Sequence, residues 1–152
     1  MYSISADEIR GLFEDYVEGS ESGAVVALSD GPLPASARNA LEKSLEAFGY
    51  GAEALAFATV LPRTGGEAGS ARLDPQALFL LIEGIDPVCL VACDRQAAAA
   101  LAATYRTACN RNAAQRIFGR PCVIFDDLPA LLQSDAGKQR AWSLLKTLPR
   151  IV

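Results

Sequence analysis

The 152-residue chain contains no histidine and a single tryptophan. Without histidine, a zinc or iron–sulfur site would need all four cysteines as thiolates. Those cysteines, Cys89, Cys93, Cys109 and Cys122, include no Cys-x-x-Cys pair. We read them as free, mostly buried thiols, so neither a metal nor a cofactor is expected. No apolar run reaches the length of a membrane span, and no membrane partner is expected. The first ten residues lack the charged-then-apolar pattern of a secretion signal, which predicts a cytoplasmic location. A Lys-rich stripe, the usual footprint of a nucleic-acid binder, is missing too.

What is present suits one globular domain spanning residues 1–152. The hydrophobic fraction is 51%, enough for a core, and the charged fraction is an ordinary 21%. The net charge of −4 is unevenly split. Residues 1–94 hold 5 Lys/Arg against 15 Asp/Glu, a net −10, and residues 95–152 hold 9 against 3, a net +6. Such a split fits a nucleic-acid face, or two halves that face each other or solvent.

Helix and strand signals alternate. Ser5 and Glu8 form a capping box, and Ile9, Leu12, Phe13, Tyr16 and Val17 follow at helical spacing, predicting a first helix that ends at Gly19. Residues 24–28 are a short continuous apolar run, the mark of a strand buried on both faces. A second helix places Ala37, Leu41, Leu45 and Phe48 on one face and closes at Gly49 and Gly51. Residues 55–61 read as a second strand, and the stretch from Arg63 to Arg72, with three glycines, as a mobile loop. Asp74 and Pro75 begin a third helix. Residues 88–93 are the third strand, and Asp94 caps an alanine-rich fourth helix. Residues 109–119 are irregular by pattern, residues 122–125 form a fourth strand, and a helix containing Trp142 follows. Trp142 and the leucines after it are assigned to the core. The prediction is a three-layer α/β/α sandwich around a four-stranded parallel sheet. Its loops after Leu28, Leu61, Cys93 and Phe125 would share one edge, where such sheets bind ligands.

The segment Pro121–Leu148 resembles the end of bacterial uracil-DNA glycosylases. There a last strand enters a His-Pro-Ser-x-Leu-Leu-Arg loop, then a helix with a Lys/Arg pair, a tryptophan and a leucine pair. The helix Asn39–Gly49 resembles that family's first helix. Phe79–Leu101 resembles its helix, strand and Ala-Ala-x-x-Leu helix. The resemblance implies a uracil-DNA glycosylase-like fold without the chemistry. Asp127 falls at the histidine that stabilises charge on the departing base, and an anion there would repel that charge. Thr59 falls at the asparagine that reads uracil, and one hydroxyl cannot replace an amide's paired donor and acceptor. The turn Leu28–Pro32 lacks the family's Gly-Glu-x-Pro-Gly framing and its uracil-stacking phenylalanine. The cysteines are not at its iron–sulfur positions.

Three classes of function remain open on these residues. A non-catalytic binding module would use Arg106, Arg111, Arg116 and Arg120, interleaved with Tyr105 and Phe118, to hold nucleic acid, or keep a weak nucleobase pocket edged by Asp30, Thr59, Asp94 and Asp127. An active glycosylase or hydrolase would use Asp30 and Asp127 as an acid–base pair, though aspartates equally serve turns and helix entries. A protein-interaction domain, including a homo-oligomer, would need neither.

Overall fold

The computed structural model describes residues 6–19, 23–51, 53–63 and 72–150. The predicted cap at Ser5 and most of the glycine-rich Arg63–Arg72 stretch lie outside them.

Four strands run parallel at the centre of one sheet: β2 (Val25–Ser29), β3 (Leu55–Thr59), β4 (Cys89–Ala92) and β6 (Arg120–Ile124). The sheet has six strands rather than the four expected. Antiparallel β1 (Val17–Gly19) and β5 (Ala113–Ile117) close its edges, in the order β1-β3-β2-β4-β6-β5. The first of these comes from residues predicted to be helical. The opening helix α1 (Ala6–Leu12) stops early, because Tyr16 and Val17 are drawn into edge pairing: the Tyr16 carbonyl accepts the Thr59 N–H at 2.8 Å, and Val17 pairs with Ala58. The second comes from the stretch read as irregular. An edge strand with a solvated face carries too weak an apolar signal for periodicity to detect.

Both faces of the sheet are covered, because its residues alternate between two cores. Val26, Leu28, Ala56, Leu90 and Ile124 pack under α1, α3 (Pro75–Ile85) and α4 (Arg95–Tyr105). Val25, Ala27, Phe57, Val91 and Phe125 pack under α2 (Ala35–Ala47), one-turn α5 (Leu128–Leu131) and α6 (Asp135–Leu145). Gly84 lets α1 lie on α3, since a Cβ there would sit 2.3 Å from Ile9. None of the helices among the described residues is long and apolar enough to cross a membrane.

The chain steps from β2 outward to β3, then returns past β2 to β4. The order therefore reverses between β2 and β4, and a crevice is expected above the C-terminal ends of those two strands.

Candidate functional site

At that crevice the chain places Asp30 after β2 and Asp94 after β4. Asp94 spans it. One carboxylate oxygen accepts the Asp30 backbone N–H at 2.8 Å, and the other accepts the Ala97 N–H at 2.8 Å as the N-cap of α4. Both oxygens are therefore engaged, one in joining the two loops and the other in capping the helix. Beside them lies a cleft of about 380 Å³, lined by the Gly31–Pro34 turn, Asp94, Arg95, Gln96, Asp126, Asp127 and Pro129.

The two candidate acid–base residues do not share that cleft. The Asp30 carboxylate pairs with Arg72 at 2.5 Å and lies outside the lining. Asp127 is exposed and caps α5 through the Ala130 N–H at 3.1 Å. Thr59 is buried and donates to the Leu61 carbonyl at 2.5 Å, again outside the cleft. Asp126 pairs with Arg95 at 3.3 Å and Arg111 at 3.5 Å, and the Arg95 hydrogen bond holds its carboxyl below the usual range. Arg95 is a residue the sequence reading missed. Its signal was its place next to the Asp94 cap.

The four candidate arginines serve different parts of the fold. Arg120 is nearly buried and binds Glu83, Asp86 at 2.7 Å and the Pro87 carbonyl at 2.7 Å. Arg111 sits against Asp126. Arg116 pairs across the hairpin with Pro121, lies with Thr147 and Pro149 on the α6 side, and donates to the Gly119 carbonyl. Arg106 is exposed at the left-handed C-cap of α4. Among the described residues, Arg106 and Arg116 have no carboxylate partner.

The aromatic residues do converge. Tyr105 and Phe118 stack at 5.5 Å, and Phe79 of α3 joins them at 5.6 Å and 6.1 Å. The Tyr105 hydroxyl donates to Glu83 at 2.6 Å, which fixes its ring. Burial, then that bond to a carboxylate, pushes its ionisation up. Phe118 and Gly119 form the two-residue β5–β6 turn, with φ of 51° and 83°. Turns with two positive φ angles favour Asn-Gly, so a phenylalanine here is strained. Even so, Phe118 is 67% exposed. Phe79 was missed from sequence, although it stands off the apolar stripe formed by Leu78, Leu81, Ile82 and Ile85.

All four cysteines are free, and only Cys109 is incompletely buried. Burial pushes the thiols of Cys93 and Cys122 well up. Among the described residues, no three acidic or cysteine side chains cluster as metal ligands would. Trp142 corrects its core assignment: it is 40% exposed and lies against Phe48 at 4.8 Å. No family model matches this chain, and no curated protein matches it.

Proposed function

We propose that this chain is a non-catalytic domain of uracil-DNA glycosylase-like ancestry that binds single-stranded nucleic acid weakly. Unstacked bases would lie on the Phe79–Tyr105–Phe118 corner. The observation that carries the reading is Phe118, a ring held out at a strained turn position and braced by two further rings. Such strain persists where the surroundings impose it and often marks a working site. Each base stacked on an aromatic side chain contributes about 1–3 kcal/mol, largely whatever its identity. Arg106, adjacent to Tyr105 and without a carboxylate partner among the described residues, supplies charge for the backbone. Duplex bases are already stacked, so single strands are the favoured class.

The sheet-edge carboxylates support the non-catalytic part. An acid–base pair must reach one substrate together. Here Asp30 is spent on Arg72, Asp94 on two backbone N–H groups, and Asp127 on a helix cap.

Fluorescence anisotropy with a labelled oligothymidylate and its duplex tests the binding. Single-strand affinity should fall at least about tenfold in Phe118→Asn. That variant should keep its stability within about 1 kcal/mol, because lost ring contacts are offset by a favourable turn residue. Equal affinity for both forms, or an unaffected variant, would refute the stacking site. A uracil-containing DNA oligonucleotide incubated with the protein and then treated with alkali should stay intact; turnover abolished by Asp30→Ala or Asp127→Ala would restore the enzyme reading.

A further inference from the structure

A separate groove of about 650 Å³ opens between α2 and α6, on the face away from the aromatic corner. Its buried floor includes Leu41, Ala141 and Leu145, and Trp142 stands at its side. Among the described residues, Lys43 from α2 and Lys138 from α6 contribute its only charges. Neither lysine has an ion-pair partner among the described residues, and the lining contains no carboxylate. Ser44 and Gln133 add hydrogen-bonding capacity. Asp135, in the first turn of α6, lies outside the lining.

We infer that this groove binds a small amphipathic anion, with an apolar body on the leucine floor and a carboxylate or phosphate held between Lys43 and Lys138. Its volume falls in the range of small-molecule sites, which pair an apolar lining with a few fixed polar groups. A cation would meet two like charges, a neutral ligand would gain nothing from the two exposed ammonium groups, and an anion would gain a charge-assisted contact with each. The charge arrangement therefore selects the anion. This inference does not depend on the nucleic-acid reading, because the two sites share no residue.

Trp142 is the only tryptophan in the chain, so its fluorescence reports the groove directly. The full chain is titrated with decanoate, decanol and decyltrimethylammonium, each below its micellar concentration. Decanoate should give a saturable change with one site per chain, and the other two should bind at least about tenfold more weakly. The double variant Lys43→Gln/Lys138→Gln should weaken decanoate about tenfold and leave decanol unchanged, while Lys43→Arg/Lys138→Arg should retain binding. Ala40→Phe, which fills the groove, should abolish the response. Thermal unfolding of each variant confirms that it is folded. Equal affinity for all three probes, the absence of a saturable response, or unchanged binding by the glutamine variant would each overturn the inference.

Discussion

Asp94 shows how one side chain can resemble a catalytic group and be structural. Its position after a buried strand at a sheet edge is where ligand-binding carboxylates often sit. Yet its oxygens accept from Ala97 and Asp30, tying α4 to the β2 loop. Asp94→Ala should therefore cost more than a cap alone, about 2–3 kcal/mol, because the Asp30 N–H also loses its partner. Asp127→Ala removes one exposed cap and should cost about 1 kcal/mol. Urea unfolding of the two variants compares them; equal losses would mean that the Asp30 bond contributes nothing. At this scale the sequence was informative about type and silent about use. The caps at Asp74 and Asp94 were legible from an aspartate before a helical pattern, and both are present. That Asp30 would be paired with Arg72, 42 residues away, was not, because no local pattern encodes a long-range ion pair.

Elements follow the same division. The four central strands and the helices between them were legible, because strands buried on both faces read as unbroken apolar runs. The edge strands were not, since their residues are half-solvated and their pairing depends on partners far along the chain. Close packing between elements is likewise hidden in small residues. Gly137, in the first turn of α6, illustrates it: a Cβ there would sit 1.8 Å from the Leu131 carbonyl oxygen, which belongs to backbone and cannot swing aside. Gly137→Ala should therefore push α6 away from α5 and cost about 3 kcal/mol or more, despite alanine's better helix propensity. Thermal unfolding checks this; a neutral or stabilising result would show that α5 yields freely. Because Leu128 of α5 and Ala141 of α6 both line the Trp142 groove, the same variant should also change its fluorescence.

Across the whole molecule, charge and protonation set the behaviour. The buried thiols of Cys93 and Cys122 keep their protons in the folded state at pH values where an unfolded chain releases them. The folded state then binds more protons, so stability should fall as pH rises above the ordinary thiol value of about 8.5, by at most about 1.4 kcal/mol per pH unit for each thiol. Below that value these groups leave stability unchanged. Urea midpoints between pH 7.5 and 9.5 test the slope, and Cys122→Ala should make it shallower. The charge halves seen in the sequence form no simple pair of facing surfaces: among the described residues, Arg120 is the one whose ion pairs cross between them, to Glu83 and Asp86. That consumption bears on nucleic-acid binding. A single-strand contact contributes roughly 0.7 log unit of affinity per log of salt. Four free arginines would give a steep dependence. With Arg120 buried in ion pairs and Arg111 against Asp126, Arg106 and Arg116 remain, and they sit on different parts of the fold. The expected dependence is therefore shallow, between one and two contacts' worth, with stacking supplying most of the affinity. Arg106→Ala should reduce the slope by about one contact, whereas Arg111→Ala should leave it unchanged. Anisotropy titrations from low to moderate salt measure both, and a slope worth four contacts would return the binding to a basic surface and away from the Phe118 corner.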